Sequence, residues 1–130
     1  KFSKMDEILI NTIRGFSPFL KKFKPDLVVI HGDRIEPLAC AISSLLNNFL
    51  VAHVEGGEVS GTVDEMLRHA ISKISQIHLV SNKIAKKRLI QMGEESWRIK
   101  TQVNRGVWNP KSFDSWRGKR GAPCNEIGVI

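Results

Sequence analysis

The run Leu27-Val28-Val29-Ile30 contains no polar residue, and three of its four side chains are β-branched. A short, wholly apolar run of this kind fits a strand buried on both faces, the setting of a parallel sheet. Phe49 to Val54 and Ile77 to Val80 are further short strand candidates, and Trp97 to Lys100 can begin a fourth. Between these runs the apolar period turns helical. Residues 3–23 carry Met5, Ile8, Leu9, Ile13, Phe16, Leu20 and Phe23, with a bend expected at Pro18. Residues 35–47 place Leu38, Ala41, Ile42, Leu45 and Leu46 on one side. Thr62 or Asp64 can cap a third helix running to about Ser75, and residues 82–92 form a cationic helix stopped by Gly93. Regular alternation of helices with short apolar strands predicts an α/β domain with a parallel sheet and right-handed crossovers. Residues 1–100 account for this pattern. From 101 to 130 neither period persists, and Gly, Pro, Asn and Ser punctuate the chain, so this segment reads as an irregular tail.

A chain of 130 residues, 42% of them apolar, is long enough for one compact domain with a core. No apolar run approaches membrane-spanning length, so no membrane partner is expected. The opening KFSKMDEILINT has no signal-peptide core, and the cytoplasm is the expected compartment. Cys40, inside ACAISSLL, reads as a buried thiol, and Cys40 and Cys124 lack metal or redox spacing. The net charge is +7, of which +4 falls from Lys100 onward. A basic tail can bind nucleic acid. Here the basic residues are scattered and only Trp108 and Trp116 could stack on bases, so a solvated end is the better reading.

In open parallel sheets, ligands bind beyond the carboxyl ends of the strands. Two polar clusters stand at such ends. His31, Asp33 and Arg34 follow the first strand. His53, Glu55 and Glu58 close the second, with Asp64, Glu65, Arg68 and His69 at the start of the next helix. Carboxylates and imidazoles that share a cleft shift each other's proton affinities and can divide general acid and base work. Each residue also has an ordinary reading. Asp33, Asp64 and Glu65 suit helix N-termini, His31, His53 and His78 can be packed strand residues, and Glu58 can be solvated. Gly56 and Gly57 either make a turn or let the backbone approach a sugar or phosphate. The repeated His-x-acid pattern could furnish metal ligands, but nothing fixes a coordination geometry, and no metal is expected.

The strings HGDR (31–34), HVEGGEVSGTVD (53–64) and RHA (68–70) lie in a segment, 24–99, that closely resembles the hydrolysing UDP-N-acetylglucosamine 2-epimerases of sialic acid synthesis. The resemblance implies a Rossmann-like sheet, part of the N-terminal domain of a two-domain enzyme of GT-B type, with the UDP-sugar between the domains. It implies elimination of UDP to a glycal, then addition of water to release N-acetylmannosamine, with no cofactor. Asp33, Glu55 and Asp64 match the family's catalytic carboxylates. Glu55 and Asp64 are assigned to proton transfer at the sugar, and Asp33 to water addition or orientation. His31, Arg34 and His53 match active-site positions that orient carboxylates or hold substrate, as do Gly56, Gly57 and Glu65 on the same loop and helix. Arg68 matches an arginine expected to brace Asp64 or Glu65.

The chain departs from the family pattern at both ends. No strand and glycine loop precede the first helix, and KTQVNRGVWNP stands where a strand and a turn toward the second domain are expected. The expectation is therefore a truncated fragment, inactive alone, whose full-length relatives are homo-oligomers. Two alternatives stay open: a relative acting on another nucleotide sugar, such as diacetylbacillosamine, and a non-catalytic basic binding module.

Overall fold

The computed structural model describes residues 4–101 and the backbone of residues 127–129. Helix α1 (Met5–Phe23) is followed by strand β1 (Leu27–His31), α2 (Ile35–Leu46), β2 (Leu50–Val54), α3 (Val63–Ile74), β3 (Ile77–Val80) and α4 (Lys83–Gln91). A 3-10 turn (Ser96–Arg98) then leads into β4 (Ile99–Thr101), and β5 (Ile127–Val129) completes the order. The α/β alternation is the one that the apolar periods predict. Trp97 falls in the 3-10 turn, so the fourth strand starts two residues later than the apolar pattern indicated. Helix α1 continues past Pro18 and stops at Lys24, whose left-handed backbone returns its N–H to the Leu20 carbonyl.

The strands form one parallel sheet in the order β4-β3-β2-β1-β5. Strand side chains alternate between faces, and this alternation divides the core. Val28, Ile30 and Val51 point to the face on which α1, α2 and α3 contribute Leu20, Cys40, Ala41 and Ile71. Farther along, α4 lays Ala85 and Leu89 over Val80 and Ile99. Leu27, Val29, Ala52, Ile77 and Leu79 form a second cluster on the opposite face, and no described helix contributes a residue to it. Because β1 to β3 carry apolar residues on both faces, they do not alternate apolar with polar; Leu27 to Ile30 is unbroken, and β2 and β3 are each interrupted by one buried histidine. The Cys40 thiol is buried as expected, and burial raises its pKa.

Strand β5 pairs with the outer edge of β1, Leu27 opposite Ile127 and Val29 opposite Val129. The reading of 101–130 as irregular placed no strand there, because Ile-Gly-Val is too short to display a period. Thr101 ends β4, and residues 102–126 and 130, including Trp108, Trp116 and Cys124, lie outside the described residues.

Register decides where the polar loops fall. His31 aligns with Val54, and Val54 with Leu79, so β1, β2 and β3 end nearly flush. The segments 32–34, 55–62 and 81–82 therefore emerge side by side at the carboxyl edge of the sheet.

Candidate functional site

Glu55 is the first residue past β2, and its backbone takes φ 64, the left-handed region that side-chain-bearing residues rarely occupy. Its N–H donates to the Leu79 carbonyl at 2.8 Å, which ties it to β3. The carboxylate faces solvent and meets His31, whose Nε2–H donates to Glu55 Oε2 at 3.1 Å. The first loop and the second thus share a contact at their most exposed acid.

Below this pair lies a fully buried link. His53 is entirely enclosed, as is Ser72 of α3. His53 Nε2 lies 3.2 Å from the Gly32 carbonyl, and Nδ1 lies 3.0 Å from Ser72 Oγ. A carbonyl only accepts, so Nε2 carries the proton and Nδ1 accepts from the serine hydroxyl. Burial above all lowers the His53 pKa to about 4, with the bond to Gly32 opposing the shift and the neighbouring charges of His78, Arg68 and His31 adding to it. The imidazole is neutral and holds the HGDR loop by its backbone. Of the two roles expected for His53, its enclosure fits orientation rather than direct contact with a ligand.

The glycines that follow owe their identity to internal packing. A Cβ on Gly56 would lie 2.8 Å from Ser72 Oγ and 2.9 Å from His53 Nδ1. On Gly57, at φ 80, it would lie 2.6 Å from the Ala85 carbonyl of α4. Both glycines are buried, so the loop presses on the protein itself at these positions.

Arg68 does not brace Asp64 or Glu65 as expected. Its guanidinium pairs with the Asp33 carboxylate, and Nη1 donates to the Glu58 carbonyl at 3.0 Å. It thereby fastens the β1 loop and the β2 loop to one helix. Glu65 turns backward instead. Its carboxylate accepts from the N–H groups of Ser60 (2.9 Å) and Gly61 (2.7 Å), and these bonds, Gly61 first, lower its pKa. Thr62 is the N-cap residue of α3 but makes no side-chain capping bond. Asp64, in the first turn of α3, makes no hydrogen bond or ion pair among the described residues. Arg34 reaches outward and is largely exposed, 3.9 Å from Glu36.

The contacts of two residues of this region carry no signal in the pattern of the chain. Glu58, read as solvated, accepts through Oε1 from the Ser81 hydroxyl and from Asn82 Nδ2 at 2.9 Å. Arg88 of α4 donates to the Gly57 carbonyl. Nothing short of three-dimensional contact could have found Arg88, which sits among other cations on a surface helix. His78, expected to be structural, is fully buried, and its Nε2–H donates to Glu94 at 3.2 Å, away from these loops. Among the described residues, no group of three or more His, Cys, Asp or Glu is placed to hold a metal ion.

The sheet therefore brings His31, Asp33, Glu55, Glu58 and Arg68 into one laced set of loops. Residues 1–104 match the family model described as UDP-N-acetylglucosamine 2-epimerase. The chain belongs to this epimerase family. It is 54% identical over 95 residues to the UDP-N-acetylglucosamine 2-epimerase of Neisseria meningitidis serogroup B, a match covering 73% of this chain and 25% of the relative. It is 47% identical over 97 residues to the hydrolyzing UDP-N,N'-diacetylbacillosamine 2-epimerase of Legionella pneumophila, covering 75% of this chain and 26% of the relative. The chain thus matches about a quarter of the length of these relatives. Among solved structures, the N. meningitidis UDP-GlcNAc 2-epimerase bound to UDP-GlcNAc superposes with a TM-score of 0.74 at 26% identity, over 78% of this chain and 29% of that one. The Methanocaldococcus jannaschii UDP-GlcNAc 2-epimerase in complex with UDP-GlcNAc and UDP gives 0.73 at 30% identity, over 77% of this chain and 28% of that one. The sheet described above is the Rossmann-like α/β unit of this epimerase family.

Proposed function

We propose that this chain supplies the acidic wall of a hydrolysing UDP-N-acetylglucosamine 2-epimerase. The observation that carries the reading is the contact of His31 with Glu55 across adjacent strand ends, with Glu55 held in a left-handed backbone. A non-glycine residue in that region is strained and persists where the surroundings impose it, as they do at functional sites. The exposed Glu55 carboxylate and the half-buried Asp64 are suited to proton transfer at a sugar ring. Glu55 or Asp64 removes the C2 proton as the C1–O bond to UDP breaks, and the electron pair of the C–H bond becomes the C1–C2 double bond of a glycal. Water then adds across that bond, a proton returning to C2 and hydroxide to C1, which gives N-acetylmannosamine. Asp33, oriented by Arg68, assists the water or orients the groups around it. Arg34, exposed at the rim, is available to a phosphate, and His31 sets the Glu55 carboxylate.

Several finer features belong to the same proposal. The opposing wall is a second domain in a GT-B arrangement, the whole enzyme is a homo-oligomer of the cytoplasm, and its product feeds sialic acid synthesis. No helix among the described residues is long and apolar enough to cross a membrane. The wall formed by the matched residues 1–104 does not by itself close over a substrate or preorganise charge around it, so taken alone it turns over substrate no faster than background. A diacetylbacillosamine nucleotide is the second reading, supported by 47% and 48% identity to hydrolyzing epimerases named for that sugar.

The test exchanges the matched segment of the N. meningitidis relative for this one and follows release of UDP and N-acetylmannosamine, with UDP-diacetylbacillosamine assayed in parallel. The chimera should turn over UDP-GlcNAc, and Glu55→Gln should lower kcat by about 100-fold or more. Undiminished turnover in the Gln variant would remove Glu55 from the chemistry. Preference for the diacetylated sugar would establish the second reading.

A further inference from the structure

We infer that Glu58 is a positioning residue, whose side chain ties the loop after β2 to the loop after β3 and so holds Glu55 in its left-handed backbone. The inference rests on the reading of Glu55 as a proton-transfer group.

A left-handed backbone is disfavoured at a glutamate, so something must hold it. Besides the contact of His31 with the Glu55 carboxylate, four attachments among the described residues reach the segment Glu55–Glu58. The Glu55 N–H donates to Leu79, Arg88 donates to the Gly57 carbonyl, Arg68 donates to the Glu58 carbonyl, and the Glu58 carboxylate takes Ser81 and Asn82. The first three act on backbone atoms of the segment. Apart from the Glu55 carboxylate on His31, the last is the one attachment among the described residues that uses a side chain of the segment, and it is the one that crosses to the loop after β3.

That crossing is anchored at its far end. Asn82 spends its amide nitrogen on Glu58, while its Oδ1 accepts the Ala85 N–H at 2.8 Å and caps α4. One asparagine amide thus joins the start of α4 to the loop that carries Glu55. Arg88 lies on the same helix, so α4 grips the loop at two places, Gly57 and Glu58. Both donors on the Glu58 carboxylate go to the same oxygen, Oε1. A neutral amide oxygen in that position can accept both bonds, so the role calls for an acceptor and not for charge. This separates Glu58 from Glu55, whose proposed work requires a titrating carboxylate.

The test is amide hydrogen exchange of this chain, read at the Glu55 N–H, with urea unfolding alongside to correct for global stability. Glu58→Ala should speed exchange at Glu55 by about tenfold or more while amides within β1 keep their rates. Glu58→Gln should hold the Glu55 rate within about threefold, because the acceptor survives. If the alanine variant does not fold, Ser81→Ala removes one of the two donors and should raise the same rate by a smaller factor. Unchanged Glu55 exchange in both Glu58→Ala and Ser81→Ala would overturn the inference. So would a glutamine variant as fast as alanine, which would assign the charge rather than the bond. In the chimera, Glu58→Ala should lower kcat with KM changed by less than about twofold, and Glu58→Gln should restore it. If exchange behaves as stated while the chimeric Glu55→Gln variant keeps full turnover, the positioning stands and the proton-transfer reading falls.

Discussion

Acidifying a solution of this protein from about pH 7.5 to about pH 4 drives protons onto histidines, but the folded state withholds one from His53. Its ring is completely enclosed, with Nε2 committed to the Gly32 carbonyl and Nδ1 to Ser72. Burial lowers its pKa from 6.5 to about 4. In the unfolded chain the same ring protonates near its ordinary value. Between these limits the unfolded state binds more protons, so stability falls as pH falls, and the contribution of His53 is whole only above about pH 6.5. At about 1.4 kcal/mol for each tenfold change in proton affinity, the full gap amounts to about 3 kcal/mol, of which about 2 kcal/mol is lost by pH 5. The loss is large against the 5–15 kcal/mol that is typical of a whole domain. Urea unfolding at a series of pH values, for the natural sequence and for His53→Gln, isolates it, because other groups titrate alike in both. His78, which burial also shifts downward, contributes to the shared background. The natural protein should lose about 2–3 kcal/mol more than the variant between pH 6.5 and pH 4. Parallel profiles would mean that the ring is protonated in the folded state and that the tautomer assigned above is wrong.

The two glycines Gly57 and Gly93 offer a contrast at similar φ. Gly93→Ala meets no atom within 4 Å and should cost about 1 kcal/mol in thermal or urea unfolding, whereas Gly57→Ala drives a methyl into the Ala85 carbonyl at 2.6 Å and should cost well over 2 kcal/mol. Equal costs would show that the β2 loop does not press on α4. Asp64→Asn removes a charge that has no partner among the described residues, so stability should stay within about 0.5 kcal/mol while turnover of the chimera falls by about 100-fold. A loss of stability instead would give Asp64 a structural role.

The scaffold was legible because its signals are local. Leu27 to Ile30 and Ile77 to Val80 are buried on both faces, which leaves a dense apolar signature broken only at His78, and Leu20 and Ile71 keep helical spacing because each must reach the same side of the sheet. Loop positions followed from strand ends, so His31, Asp33 and Glu55 could be expected near one another before any contact was seen. What escaped depends on partners distant in the chain. Arg68 chooses Asp33, 35 residues away, over its helical neighbours Asp64 and Glu65, and Glu65 is already occupied by backbone N–H groups. Glu58 reads as solvated until Ser81 and Asn82 are brought beside it by the pairing of β2 with β3. The tight glycines were equally opaque, since the atoms that forbid a Cβ belong to His53, Ser72 and Ala85.

These contacts also explain why the acids stand on loops that do not yield. A polar loop at a sheet edge is ordinarily the most mobile part of a domain, and a carboxylate on such a loop gives poor control of a proton. Here both loops are pinned from the helices: the β1 loop by Arg68 of α3 and, through His53, by Ser72 of α3; the β2 loop by the same Arg68 and by Arg88 of α4. The pins act on carbonyls and on Asp33, and among the described residues they leave Glu55 exposed beside His31 and Asp64 without a hydrogen bond or ion pair. Rigidity and availability are thereby assigned to different atoms. The helices hold the backbone, and the carboxylates proposed to exchange protons with substrate stay accessible, which is the division that general acid–base catalysis requires of its supporting structure.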